Sequence, residues 1–160
     1  MRSAEFSIRP VEQINEAFAM ATIRNTGREF MTHDSHEISQ AEQADWYFNT
    51  YKPEHKNANL YGFVGYMALQ PVAYGLISRK NGAFWLSGVV DEVFQGRGFG
   101  RQMFESMGKF VLNGHDDKVM LDVYETNTPA KALYDSLGYS EVSRDSGVIV
   151  MKLEAPDEVA

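Results

Sequence analysis

The sequence predicts an α/β (α+β) domain, and three observations carry that expectation. Three strand-like runs follow one another between Tyr61 and Val90 with only short turns between them. Immediately afterwards the apolar spacing becomes helical, with Met103, Phe104, Met107, Phe110 and Val111 on one side. A further strand, a helix and a closing hairpin then complete the chain.

Taken in order, residues 5–9 (EFSIR) read as a first strand, and Pro10 is expected to open a helix with Val11, Ile14, Phe18 and Ala21 or Thr22 facing the core. From Arg24 to Leu60 the composition turns polar. There Ser39-Gln40-Ala41-Glu42 has the form of a capping box, which predicts a helix from Gln40 to about Asn49 carrying Trp46, Tyr47 and Phe48. The strands at 61–69, 72–78 and 83–90 are divided by Gln70-Pro71 and by Asn81-Gly82, the latter suited to a type I′ turn, and together predict an antiparallel meander. Asn113-Gly114 stops the helix that follows. Residues 118–124 return to strand, after which Thr128 as N-cap and Pro129 at the first helical position launch a helix that Gly138 ends. Residues 139–144 and 148–153 form the closing hairpin.

The 160 residues are 44% apolar and 23% charged, the balance of one globular domain with a real core. That domain is expected at 1–154, with an acidic, frayed tail at 155–160. With 15 basic against 22 acidic residues the formal charge is -7, and no basic cluster exceeds pairs such as Arg79-Lys80, which argues against nucleic acid as a partner. The absence of cysteine excludes disulfides, thiolate metal sites and a cysteine nucleophile, and fits a reducing compartment. The start, MRSAEFSIRP, lacks the apolar stretch of a signal peptide, and no run approaches the ~18 apolar residues of a membrane span. The expectation is therefore a cytoplasmic protein with no membrane partner. Nothing in the sequence reads out oligomeric state, a dimer included.

The most informative stretch is VVDEVFQGRGFGRQMFESM, residues 89–107, in which three glycines separate a strand from a helix. Such a turn presents several backbone N–H groups and a positive dipole end to one point, which makes an anion site. The competing reading is that Gly96, Gly98 and Gly100 only allow a sharp turn and close helix packing. No Gly-Lys-Ser/Thr follows, so the loop is not a Walker motif. A dinucleotide fingerprint would need glycine where Arg101 stands, although Asp122 lies about where that fold places its ribose-binding acid.

What remains is Gln95-x-x-Gly98-x-Gly100 after Val89-Val90, then Asn127-x-x-Ala130-x-x-Leu133-Tyr134-x-x-x-Gly138-Tyr139. Together these resemble the GNAT superfamily of acyl-CoA-dependent N-acyltransferases, in order and in separation. Glutamine stands where the family more often has arginine, and Glu92 where it often has proline. The resemblance implies a GNAT-like fold: a central mixed, mostly antiparallel twisted sheet flanked by helices on both faces, with strands splayed at the acyl-CoA site. It implies acetyl-CoA as co-substrate and an amine as acceptor. The amides of Gln95, Gly96, Arg97, Gly98, Phe99 and Gly100 would hold the pyrophosphate. Backbone groups of Val89 and Val90 would pair with the pantetheine arm, with Arg101 and Lys131 near the phosphates unless they are only solvated surface cations.

An alkyl ammonium, with a pKa of about 10.4, must lose a proton before it attacks a thioester, and the leaving thiolate, at about 8.5, gains from a protonated donor. Tyr134 matches the family's position for that acid, though its stripe with Ala130 and Leu137 also fits a packed aromatic. Asp122 in LDVYETN matches a position where relatives acting on protein N-termini carry glutamate. Strand alternation puts it on the face of Tyr124 and opposite Leu121 and Val123. Glu92 is the second candidate base and Glu125 a third competitor. Asn127 either orders water or a pantetheine carbonyl, or is a turn residue. His33, Asp34, His36 and Glu37 match no metal motif and read as loop residues, so no metal is expected.

Arg24-Asn25, Phe30-Met31, Glu37-Ile38-Ser39 and Trp46 resemble the punctuation of members that acetylate amino groups on sugars, and loosely that of members modifying protein N-termini. Phe30 and Trp46 are the acceptor-pocket candidates, Trp46 also serving as a lid-helix anchor. Three functions stay open: an acetyltransferase for a small-molecule amine, such as an amino sugar; one for a protein N-terminus or lysine; and a non-catalytic acyl-CoA-binding module.

Overall fold

The computed structural model describes residues 5–26, 36–114 and 118–153. Seven strands form one sheet in the order β1-β2-β3-β4-β5-β7-β6, where β1 is Phe6–Pro10, β2 Leu60–Met67, β3 Gln70–Lys80, β4 Ala83–Val90, β5 Lys118–Tyr124, β6 Tyr139–Asp145 and β7 Val148–Leu153. Every neighbouring pair is antiparallel except β4 and β5, which run parallel. Helices cover both faces. On one, α1 (Ile14–Thr26) contributes Ala17, Met20 and Ile23 to a core with Tyr47, Tyr51 and Val64. On the other, α4 (Phe99–Gly114) and α5 (Thr128–Ser136) bury Phe104, Met107, Val111 and Tyr134 against Phe84, Leu121 and Ile149. The sheet is thus mixed and mostly antiparallel, as the sequence led us to expect. No helix among the described residues is long and apolar enough to cross a membrane.

Alternation decides which side chains meet which layer. Val119, Leu121 and Val123 of β5 are buried towards α4, so Met120, Asp122 and Tyr124 point to the α1 face. On β3, Ile77 faces α4 while Tyr74 and Leu76 face α1.

Four local expectations need correction. The first helix begins at Ile14, not at Pro10, because Pro10 still pairs with Phe63 in β1 and the Val11 amide donates to the Gly62 carbonyl at 2.8 Å. The helix is capped from within, where the Glu16 carboxylate accepts from the amides of Glu12 and Gln13 at 2.9 and 2.8 Å. Its buried face is Ala17, Met20, Ala21 and Ile23, whereas Ile14 and Phe18 are half-buried and Thr22 is exposed. The turn between β2 and β3 lies at Ala68-Leu69, with Ala68 in a left-handed conformation (φ 55°), and Pro71 belongs to β3 beside a register shift. No glycine or asparagine marks it.

The capping box at Ser39 is formed as expected, with both reciprocal hydrogen bonds present, and α2 (Gln40–Trp46) starts there. The helix does not stop near Asn49. It widens into a π-helical turn, Tyr47–Tyr51, and resumes as α3 (Lys52–Lys56). Pro53 has no amide to donate, and the shift to i→i−5 bonding just ahead of it lets the helix run past. Lastly, the N-cap of α5 is Asn127, whose side-chain oxygen accepts from the Ala130 amide at 3.4 Å, and Thr128 is the first helical residue.

Candidate active site

The parallel pairing of β4 and β5 covers only Ala83–Trp85 against Lys118–Met120. Beyond it β4 stays bonded to β3 as far as Val90, and β5 stays bonded to β7 as far as Tyr124. The two strands therefore separate, and their facing edges over 86–90 and 121–124 carry backbone donors and acceptors that no strand satisfies. Gly88 sits on the departing strand. A Cβ there would lie 2.8 Å from the Tyr74 carbonyl, so this glycine permits β4 to press against β3 while it leaves β5.

The glycine loop closes one end of this gap. After a single 3₁₀ turn at Glu92–Phe94, capped by Asp91, Gly96 and Gly98 take left-handed φ values of 81° and 83°. A Cβ on either would meet nothing within 4 Å. Gly100 has no such φ, and a Cβ there would make only ordinary contacts of 3.7 Å with Leu133 and Val90. Close helix packing is therefore not the reason for these glycines. The Gln95 amide is spent on the Glu92 carbonyl at 3.4 Å, and α4 closes its first turn with the Gln102 amide on the Gly98 carbonyl at 3.2 Å. Among the described residues no backbone bond uses the amides of 96–101, so these are left without a backbone acceptor at the positive end of a helix of 16 residues.

Side chains brace the loop. Gln95 Nε2 donates to the Val90 carbonyl at 3.1 Å, joining the loop to the end of β4. The Phe99 ring is buried and stacks on Phe6 at 4.5 Å, and the Arg97 guanidinium lies over the Phe94 ring at 5.2 Å. Arg101 donates to Ser136 Oγ at 2.6 Å and lies 3.7 Å from Glu105, while Lys131 pairs with Asp135 at 3.1 Å. Both cations are tied into surface contacts between and along α4 and α5.

On the α1 face the gap opens into a cavity of about 540 Å³. Its walls include Met20 and Ala21 from α1, Gln43 and Trp46 from α2, Tyr74 and Leu76 from β3, and Trp85 from β4. Ser87 and Asp122, both lining it, occupy the two lips of the gap. The segment before α2 is clamped to α1. Asn25 exchanges hydrogen bonds of 2.9 Å with both backbone groups of Ile38, Arg24 donates to the His36 carbonyl at 3.0 Å, and His36 meets Glu42 at 2.9 Å. That hydrogen bond, together with those from Ser39, holds the Glu42 carboxyl below its usual range.

On the opposite face of the sheet Tyr134 projects from α5 into the core. Its ring packs 5.0 Å from Phe104 and 6.0 Å from Tyr139. Burial, and secondarily the charge of Asp122, push the phenol well above its ordinary pKa, so it keeps its proton. The Tyr134 phenol thus feels the charge of Asp122, although the two side chains stand on opposite faces of the sheet.

Of the candidate bases, only Asp122 lines the cavity. Glu92 is exposed in the 3₁₀ turn, and Glu125 is engaged by Arg144 at 3.1 Å. Trp46 lines the cavity and also packs on Tyr51 at 5.3 Å. Phe30, His33, Asp34 and the tail at 155–160 lie outside the described residues, among which no cluster of three metal-ligating side chains occurs. Sequence reasoning missed Tyr74, Gln43, Trp85 and Ser87. Strand alternation groups Tyr74 with Leu76, but nothing local says that their shared face borders a cavity.

The family model described as FR47-like protein matches residues 60–147, which include the meander, the glycine loop and Tyr134. No curated protein matches significantly in sequence. Among solved structures, YncA of Salmonella typhimurium, determined with its cofactor acetyl-CoA, superposes with a TM-score of 0.77 over 97% of this chain and 96% of that one, at 16% identity. FdhC, a nucleotide-linked sugar GNAT, gives 0.78 over 96% and 88%, at 17% identity. RimL, a ribosomal alpha-N-protein acetyltransferase in complex with coenzyme A, gives 0.76 over 94% and 93%, at 11% identity. At these identities the likeness is one of fold.

Proposed function

The chain belongs to the FR47-like family of the GNAT superfamily of N-acetyltransferases, and on that premise we propose that it transfers the acetyl group of acetyl-CoA to the primary amine of a small molecule, by direct attack in a ternary complex. The observation that carries this reading is the gap between β4 and β5, which joins an anion-ready loop at one end to a cavity of about 540 Å³ on one face. The residues suit acetyl-CoA. Amides of 96–101 with open space before Gly96 and Gly98 would take the pyrophosphate, and the edge of β4 at Val89 and Val90, which no strand covers and where the Val90 carbonyl already accepts from Gln95 Nε2, would pair with the amides of the pantetheine arm. Asn127 would stand at the gap's rim with its side-chain oxygen already spent on the helix cap. Bound there, acetyl-CoA supplies a thioester whose acyl carbon accepts the amine and whose thiolate leaves.

The chain's own groups handle the protons. Asp122, on the cavity lip, takes a proton from the incoming ammonium directly or through one water. Tyr134, kept protonated by burial, offers its phenolic hydrogen to the departing sulfur. Trp46 and Trp85 flank the acceptor, and a cavity of about 540 Å³ is in the range of small-molecule sites. The test is thiol release from acetyl-CoA over amino sugars, polyamines, amino acids and short peptides; the protein has no cysteine to add background. Release with small amines supports the proposal. Release with peptides alone would transfer it to protein N-termini or lysines, and acetyl-CoA binding without turnover would leave a binding module.

A further inference from the structure

Two polar atoms in the cavity, the Tyr74 hydroxyl and Gln43 Oε1, have no hydrogen-bond partner among the described residues. Tyr74 is only 5% exposed and lines the cavity, yet no described residue hydrogen-bonds its hydroxyl. The one sealed, unpartnered side-chain polar atom among the described residues is the Tyr139 hydroxyl, so that of Tyr74 opens onto the cavity space. Gln43 is 6% exposed, and its Nε2 donates to the Ala17 carbonyl at 2.7 Å. A carbonyl only accepts, so this bond fixes the amide's orientation and turns Oε1 the other way. No described donor reaches Oε1, and it too is unsealed. Both groups sit among Met20, Leu76 and Trp46, surroundings in which an unpaired polar atom is costly.

We infer that Tyr74 and Gln43 read a hydroxyl group on the acceptor, so that the substrate is a small amino alcohol, with its amine at Asp122 and its hydroxyl between the Tyr74 O–H and Gln43 Oε1. The inference rests on the acceptor cavity assigned above and names its substrate class. A hydroxyl both donates and accepts, which matches a phenol and an oriented amide oxygen that line the same cavity. A carboxylate or phosphate at the same point could draw on Arg24, which lines the cavity and whose charge reaches the Tyr74 phenol, but it would have no hydrogen to offer Gln43 Oε1. A plain alkylamine would leave both protein groups desolvated and unpaired, and sites built to bind a hydroxyl discriminate strongly against ligands lacking it.

The chain has two tryptophans, Trp46 and Trp85, and both line this cavity, so intrinsic fluorescence reports its occupancy without requiring turnover. The probes are cyclohexylamine, the ring-isomeric aminocyclohexanols and glucosamine, titrated into the full chain saturated with CoA and into Tyr74→Phe. We expect the best aminocyclohexanol to bind about tenfold more tightly than cyclohexylamine, and Tyr74→Phe to bring that ratio below about threefold. Glucosamine binding with the same dependence on Tyr74 would identify the amino alcohol as a sugar; its failure beside a bound aminocyclohexanol would identify a non-sugar one. Because no described residue partners the hydroxyl, Tyr74→Phe should not lower Tm, whereas a purely structural tyrosine would lose stability. Equal binding of amine and amino alcohol, or a preference that survives in Tyr74→Phe, overturns the inference. A Tyr74-dependent preference without thiol release from acetyl-CoA would sink the catalytic reading and keep this one; turnover of plain amines without preference would do the reverse.

Discussion

Replacing Gly98 by alanine separates the cost of the loop's conformation from its role in binding. At φ 83° any L-residue is strained, by roughly 1–2 kcal/mol. The added Cβ meets nothing within 4 Å, so the strain is the whole of the expected penalty in the unliganded protein. For a domain of this length that corresponds to a Tm lower by about 3–6 °C. In the presence of acetyl-CoA the same methyl group projects into the open space beside amides of 96–101 that no backbone bond uses, and the KM for acetyl-CoA should rise at least about tenfold, equivalent to ~1.4 kcal/mol of lost binding. Gly82 supplies the control. It has φ 75° and open space around its Cβ, but it lies in the β3–β4 turn. Gly82→Ala should lose comparable stability and keep the wild-type KM for acetyl-CoA. Thermal melts and initial-rate kinetics on the two variants make the comparison. If both raise that KM alike, or neither does, the glycine loop is not the anion site.

Further outcomes follow from the same geometry. Tyr134→Phe keeps the ring against Phe104 and Tyr139, so it should fold normally while kcat falls about 10²-fold, read by thiol release. Because burial raises Tyr134, the wild-type pH–rate profile should show no falling limb below about pH 10; a limb beginning lower would assign the acid elsewhere. Asp122→Asn should depress turnover most at low pH, where the amine is hardest to deprotonate, and Glu92→Gln should leave the profile unchanged; the reverse would exchange their roles. Gly65→Ala should destabilise the fold by about 1–3 kcal/mol in urea unfolding, since its Cβ would lie 2.5 Å from a Phe6 ring atom and that ring is already stacked on Phe99. Tyr74 is pushed up to about 12 by burial, with Arg24 opposing. Its folded pKa lies above an unfolded value of about 10, so its contribution is intact below pH 10 and is lost as pH climbs towards 12, by about 3 kcal/mol in all. Stability that stays flat across that window would contradict the burial of this phenol.

Much of this was legible before any coordinates, and for identifiable reasons. Asn81-Gly82, the Ser39 capping box, and residues 118–124 are local signals, and each is found where expected. The glycine loop was legible because two of its residues need a conformation that only glycine adopts without strain. The missed features are tertiary. Ala68 takes a left-handed turn with no residue type to announce it, and Pro10 remains in a strand because Gly62 and Phe63 pair with that segment from across the sheet. The run past Asn49 depends on Tyr47 and Tyr51, whose hydroxyls hold the Glu12 and Val11 carbonyls at 3.0 and 2.9 Å. Asp122 was placed on the correct face by alternation alone. Preferring it to Glu92 and Glu125 as the proposed base rests on the cavity and the Arg144 ion pair, which the sequence does not contain as local pattern.

The central claim is that the gap between β4 and β5 binds acetyl-CoA and delivers its acyl end to the Asp122 cavity. A crystal structure of the complex with acetyl-CoA tests it most directly. The pyrophosphate is expected on the amides of 96–101, the pantetheine arm between the facing edges of β4 and β5, and the thioester between Asp122 and Tyr134. Density for the cofactor anywhere else, or a thioester turned away from that cavity, would contradict it.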